Sequence, residues 1–396
     1  MYDKASIALI PSGYKAGSTD NLYSVLPANG NGDFNATRGS TATRVNKDGL
    51  IESVATNVPR LDYPLTNGVV GDCPHLLLEP SSTNVIQNSE ITSTWTYTEY
   101  GSGSAGTITT GKTDMFGGTN AVQIDFPSDA ENVSFTFGQT TSSISSGSVS
   151  LSLYIKLVES NAKTLQFRAS SNAVSLINVN STDFVRYEMT GTKNSSEAFN
   201  VKLRPSAGTS GGGFSIIVCH PQEEAGSYPT SYIPTNGETN GVTRSADFCN
   251  LSGTSAEFND SEGVLFAEIS ALANDLTRRD ISISDGTTSN RVVLRYDNSS
   301  NRLRVFVNGT ADSITVTGYT ITDTLKIAYK YKVNDYAIWV NGTEAGTNTS
   351  STDIPSGLSR LNFDQANGTN NFYGKVKQLI YFNEALSDSE LQTLTS

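Results

Sequence analysis

QEEAGSYPTSYIPT, residues 222–235, lies between two stretches that both read as β-rich. Two tyrosines, two prolines and a glycine crowd its fourteen positions, with GFSIIVCHP before it and NGETNGVTRSADF after. A linker, a binding loop and a closing strand are the readings open, and the choice partitions the chain. FSIIVCH reads as a final core strand. Proline supplies no N–H to a central ladder, so the piece that follows belongs on an edge or across the base of a domain. On this reading it closes a β-sandwich.

Upstream, from Asn88 to about Thr235, strand follows strand. AVQIDF, NVSFTFG, SVSLSLYIKLV, KTLQFRAS, DFVRYEMTG and FNVKLRP alternate with period two, or form short apolar runs, between Gly/Ser/Asn turns. In VSLSLYIKLV, Val149, Leu151, Leu153, Ile155 and Leu157 share one face, while Ser150, Ser152, Tyr154 and Lys156 share the other. That predicts a half-buried sandwich strand. Downstream, EGVLFAEISA, RDISISDG, RVVLRYD, RLRVFVNG, LKIAYKYKV, YAIWVNG and GKVKQLIYF repeat the pattern, with Asn308-Gly309 and Asn341-Gly342 as tight-turn signals. LSDSELQTLTS at the end predicts one short helix, capped by Ser387 or Asp388. The fold class predicted is all-β: two β-sandwich (jelly-roll) domains at 88–235 and 242–396, behind an N-terminal segment, 1–87. That segment has many turn dipeptides and few alternating runs, so its order is expected to come from partners. A hairpin is predicted in STATRVNKDGLIESV, with Thr43, Val45, Leu50 and Glu52 flanking Lys47-Asp48-Gly49.

Composition narrows the function classes. Charged residues are only 17% of the 396, and 27 basic against 39 acidic residues leave a net charge of −12. This disfavours nucleic acid or an anionic membrane as a bulk electrostatic partner. Cys73, Cys219 and Cys249 form neither a disulfide framework nor a CxxC zinc motif. The apolar run ASIALI is too short for a signal-peptide core, and no 18-residue apolar stretch occurs. The expectation is a protein made in a cytoplasm, without membrane insertion.

RGSTATRVNKDGLIESVATNVPRLDY followed by LLLEPSSTNVIQNSE resembles a module of tailed-bacteriophage virion proteins, and QEEAGSYPTSYIPT with VTRSADF resembles that module's end, a carbohydrate-binding-like β-sandwich. The likeness covers roughly residues 35–248; its usual leucine after Gln222 is Glu223 here. From about 255 to 396 the chain is similar to a concanavalin A-like, laminin-G-type jelly roll, most tellingly in GKVKQLIYFNEALSDSEL. The resemblance implies a virion structural protein, a fibre or head/tail appendage subunit. It would be anchored to other virion proteins through residues 1–87 and available to host cell-surface glycans. It also implies a homo-oligomer, a trimer for preference, although no heptad repeat supports one. A polysaccharide depolymerase and a capsid decoration protein without ligand are the rival readings.

Catalytic chemistry is not signalled. His75 and His220 have no nucleophile motif near them, and Glu262 and Glu268 lack the third acid that a concanavalin A-like glycosidase strand would carry. No catalytic residue is assigned. For carbohydrate the candidates are Trp95, Tyr97, Tyr100 and Trp339, since sugars stack on aromatic faces; core packing is the competing role. For calcium, the cofactor such sandwiches most often hold, the candidates are Asp285, Asp297 and Asp364 in turn-like contexts, where turns also select Asp for their own geometry.

Overall fold

A computed structural model describes residues 2–13, 21–99, 106–128, 133–136, 144, 146–168, 174–193, 202–205 and 213–396. The chain is all-β, and its α-helix among the described residues is Asp388–Thr395. The first sandwich packs two five-stranded antiparallel sheets. One runs Thr107–Lys112, Ala121–Phe126, Phe214–Ala225, Gly147–Leu157, Val185–Lys193. The other runs Thr96–Glu99, Val133–Thr136, Lys202–Pro205, Lys163–Arg168, Val174–Val179. Val149, Leu151, Leu153, Ile155 and Leu157 fill the space between them, as their alternation requires.

Their strand is not half-buried, however. Ser150, Ser152 and Tyr154 on its other face are buried too. Arg186 donates from Nη2 to Ser152 Oγ at 2.7 Å and to the Thr230 carbonyl at 2.5 Å, so residues of the closing segment cover what the alternation marks as a wet face.

The closing segment also begins later than its prolines suggest. Phe214–Ala225 is one twelve-residue strand that continues through His220-Pro221. It does so because the register with Gly147–Leu157 shifts between Ser152 and Tyr154, and His220 takes a positive φ of 54° there. A bulge asks no ladder N–H of the proline. Beyond it Gln222 pairs with Ser152, Glu223 with Leu151 and Glu224 with Ser150. Gln222 and Glu224 then hold the coil that follows. Ile233 N donates to Gln222 Oε1 at 2.6 Å, and Thr230 N donates to Glu224 Oε2 at 2.8 Å.

In the second sandwich the smaller sheet runs Ile314–Thr317, Arg302–Val307, Arg291–Tyr296, Arg279–Ser284, Arg360–Asn362. It packs its apolar face on a larger sheet containing Leu325–Lys332, Glu262–Ala271 and Gly374–Phe382. The larger sheet is covered on its far face as well, where Val264, Phe266, Trp339 and Phe382 meet Leu386 and Leu391 of the C-terminal segment. The helix has the expected cap: Ser387 and Glu390 form a capping box.

Residues 1–87, expected to take their order from outside the chain, take much of it from this sheet. One edge of Gly374–Phe382 pairs with Glu262–Ala271. The other edge is shared end to end, Ile7–Leu9 lying against Leu379–Tyr381 and His75–Leu78 against Gly374–Val376. Without them a buried strand would present unpaired backbone groups, which are costly away from water. Phe34–Thr37 likewise pairs with Phe248–Asn250, and Ser82–Asn84 with Val242–Arg244. The predicted hairpin forms, Val45 opposite Ile51, with Gly49 at φ 77°.

Candidate functional site

The motif residues meet at the junction of the two sandwiches. Arg60 of VPRLDY is fully buried; its Nη1 lies 2.7 Å from Glu79 Oε2 of LLLEP, and its Nη2 pairs with Asp247 of VTRSAD. Arg38 Nη1 reaches Asp247 Oδ1 at 2.9 Å, while Arg244 Nη2 and Nη1 stand 3.4 Å from Glu79 and 3.6 Å from Asp247. Ser231 donates to Glu79 from its backbone at 2.8 Å and from its hydroxyl at 2.6 Å. Burial alone would raise the pKa of Glu79; Arg60 and Arg244 reverse that and hold it far below the usual carboxylate range. This cluster is closed to solvent, so its chemistry is adhesion between segments.

Beside it a cleft of about 570 Å³ opens, with walls from four parts of the chain. Asp62 and Tyr63 come from the N-terminal module, Tyr154 and Arg186 from the first sandwich, and Tyr228 and Tyr232 from the closing segment. Ser270, Leu272, Thr322 and Lys375 of the second sandwich complete it. The polar groups are pre-set. Asp62 Oδ1 accepts from Val45 N at 2.8 Å, and its Oδ2 lies 3.2 Å from His75 Nε2. The Arg186 guanidinium stands 5.9 Å from the centre of the Tyr154 ring and 3.6 Å from Glu188 Oε1. Burial pushes the Tyr154 hydroxyl up to about 12 and also raises that of Tyr228, against the opposing charge of Arg279. Both phenols are therefore neutral donors at neutral pH. Lys375 reaches the cleft as an exposed side chain.

Beneath this surface, Tyr232 donates to Glu90, which also pairs with His220 Nδ1 at 2.8 Å. Burial would lower the imidazole's pKa; Cys219 and Glu90 outweigh it and lift it to about 10. His220 is 1% exposed, which suits a buried cation that fixes Tyr232 rather than a group meeting substrate.

The residues singled out from sequence do not converge here. Trp95 is buried in the first core and donates from Nε1 to the Asn88 carbonyl at 3.0 Å. Tyr97 stands opposite Phe135 in backbone register, its side chain outside the described residues; Tyr100 lies outside them altogether. Trp339 is buried beneath the C-terminal segment of the second sandwich. Asp285 is engaged in its own turn, accepting from Thr287 N at 2.7 Å and Asn290 Nδ2 at 2.9 Å. Asp364, buried, accepts from Ala366 N at 2.5 Å, and desolvation raises its pKa. Asp297 is surrounded by cations. Arg302 Nη2 is 2.7 Å away, Arg278 Nε 3.2 Å and Arg304 Nε 3.5 Å. Among the described residues no three His, Cys, Asp or Glu side chains gather as a metal would need. Sequence reading missed the cleft because four separated segments build it. Its one local signal is the pair Tyr228 and Tyr232 in the crowded stretch.

No family model and no curated protein sequence matches the chain. Among solved structures, the CBM40 of the Ruminococcus gnavus IT-sialidase, solved with α2,3-sialyllactose, aligns at TM-score 0.30 and 15% identity, over 35% of this chain and 84% of that one. Domain 4 of AbnA, a GH43 extracellular arabinanase from Geobacillus stearothermophilus solved with arabinotriose, aligns at TM-score 0.31 and 12% identity, over 38% and 73%. The NanB sialidase of Streptococcus pneumoniae aligns at TM-score 0.30 and 15% identity, over 35% and 24%.

Proposed function

We propose that the protein is a non-enzymatic structural component of a tailed-phage particle, a fibre or appendage subunit, and that its junctional cleft contacts host-surface glycans. The observation that carries the glycan reading is the cleft's lining. Partly exposed Tyr63 and Tyr228 offer ring faces, and Asp62, Arg186, Glu188 and Lys375 offer oriented donors and acceptors beside them. Saccharides are held by this combination of an apolar ring face and directional hydrogen bonds. The particle reading is supported by the ordered motifs from RGSTATR to VTRSAD, whose arginines and acids meet in the buried junction. A single sugar contact of this kind is weak, so a homo-oligomer, taken here as a trimer, would supply avidity.

Oligosaccharide binding to the full chain, measured by glycan array and titration calorimetry, tests this. Binding is expected, and Tyr63→Ala or Tyr228→Ala should weaken it. A reducing-sugar assay on the same preparation should stay flat. Steady release of reducing ends would replace this reading with a depolymerase, and light scattering reads the oligomer directly.

A further inference from the structure

The surroundings of Asp297 have the opposite sign from a calcium site. Asp297 lies on the outer face of the smaller sheet of the second sandwich, directly before the turn into Arg302–Val307. Its side chain is fully buried, while those of Arg278, Arg302 and Arg304 retain 42%, 26% and 24% exposure. Neighbouring charges are already matched. Arg295 holds Asp280 through two hydrogen bonds of 2.7 and 2.6 Å, and Arg279 holds Asp275 at 2.8 Å. Among the described residues every ion pair of Arg278, Arg302 and Arg304 is with Asp297, so three guanidiniums share one carboxylate.

Two positive charges are thus left over at one spot on a chain of net charge −12. Like charges held this close repel unless an anion joins them, and guanidinium forks match carboxylate and sulfate oxygens geometrically. Amides and hydroxyls border the cluster. Asn298 Oδ1 accepts from Arg302 Nη2 at 3.0 Å, Thr315 Oγ1 from Arg304 Nε at 3.3 Å, and Asn274 and Ser300 bond each other at 2.7 Å nearby. A polyanion such as nucleic acid would meet the chain's overall negative field, whereas one anionic group on a polyol meets only this local excess.

We infer that Arg278, Arg302 and Arg304, with Asp297 as their internal counter-ion, form a site for the anionic group of an acidic saccharide, a carboxylate or a sulfate. The site is additional to the cleft, since none of the three arginines lines it. The turn at 275–279 joins the two regions, sending Arg278 to Asp297 and Arg279 to Tyr228.

Titration calorimetry of the full chain with an oligouronate, a sulfated oligosaccharide and a neutral oligomer of equal length tests the assignment. One or both acidic ligands should bind, at least about tenfold more weakly in 0.5 M than in 0.05 M salt, because exposed charges are screened. Which of the two binds identifies the anion. Arg278→Gln, the most exposed of the three and the safest for folding, should weaken acidic binding several-fold, and Arg302→Gln with Arg304→Gln should abolish it, with circular dichroism confirming the fold. Tyr228→Ala should leave it in place. Acidic ligands binding no better than the neutral one, or binding to Arg278→Gln and the folded double variant as to wild type, would overturn the proposal. Acidic binding retained in Tyr228→Ala, with no neutral oligomer bound anywhere, would keep this site and sink the cleft reading.

Discussion

Two clusters in this protein have three arginines each and differ in what surrounds them. At the junction, Arg38, Arg60 and Arg244 share Glu79 and Asp247, and all five are at most 6% exposed. Backbone carbonyls take most of the remaining donors: Arg38 Nη2 bonds Ala55 O at 2.6 Å, Arg60 Nη1 bonds Thr43 O at 3.2 Å, and Arg244 Nη2 bonds Pro80 O at 2.7 Å, while the buried Arg244 Nε has no hydrogen-bond partner among the described residues. Around Asp297 one carboxylate serves three guanidiniums that still touch water. The first cluster is closed and nearly saturated, with two carboxylates for three guanidiniums; the second has one carboxylate and partly exposed donors to spare. Identical residue types therefore serve cohesion in one place and recognition in the other, and saturation decides which.

Removing a charge from the closed cluster should have the largest effect. Arg60→Met leaves Glu79 and Asp247 buried with less compensation, and breaking such a pair costs about 3–5 kcal/mol. Urea denaturation followed by fluorescence should show that loss. A cost below about 1 kcal/mol would mean the cluster is not a structural lock.

Glu223 sharpens the contrast, because it is a buried carboxyl group with no hydrogen-bond partner at all among the described residues. It stands opposite Leu151, inside the first sandwich, and neither of its oxygens accepts a hydrogen bond among the described residues. Desolvation raises its pKa from 4.5 to about 8, partly opposed by Lys193. The folded state binds this proton more tightly than the unfolded chain does. Stability from this group is therefore complete below the unfolded pKa and falls as pH rises from about 4.5 through about 8. At about 1.4 kcal/mol per unit, the loss by pH 9 is on the order of 5 kcal/mol. Glu223→Leu should flatten that pH dependence, giving a higher midpoint at pH 9 and little change at pH 4.5. Parallel slopes for wild type and variant would refute the assignment.

A smaller effect is expected in the cleft. Tyr228→Ala should weaken glycan binding by roughly 1–1.5 kcal/mol while changing the urea midpoint little, because the ring is only partly buried. The smallest belongs to the open cluster's contribution to stability. Arg304→Gln should cost under about 1 kcal/mol, and less in high salt, since partly exposed pairs are weak and screened. A cost as large as that of Arg60→Met would erase the distinction between the clusters.

Where sequence reading succeeded, the cause was local. The alternation of Val149 to Leu157, the hairpin around Asp48-Gly49 and the Ser387 cap all depend on residues within a few positions of one another. Where it fell short, the cause was distance along the chain. Ser150, Ser152 and Tyr154 look solvent-facing until Arg186 and Thr230 cover them. Trp95 and Trp339 have the chemistry of a sugar platform, but the first core encloses one and the C-terminal segment covers the other. Asp297 looks like an oxygen ligand for a cation because nothing adjacent in sequence foretells that Arg278, nineteen positions earlier, will reach it.

The sequence by itself determined that the chain is all-β, where most strands and tight turns lie, and that one short capped helix ends it. Period-two burial and turn chemistry are written residue by residue, so they need no fold to be read. Only the tertiary structure decided that Ile7–Leu9 and His75–Leu78 pair along one edge of Gly374–Phe382 and extend its sheet. It alone joined Arg38 to Asp247 across 209 positions, and it alone left Arg278, Arg302 and Arg304 around one carboxylate. Whether a charge is a lock, a liability or a binding group depends on how far burial strips its water and how many partners replace it. Those are properties of packing, and packing is set by contacts between residues hundreds of positions apart.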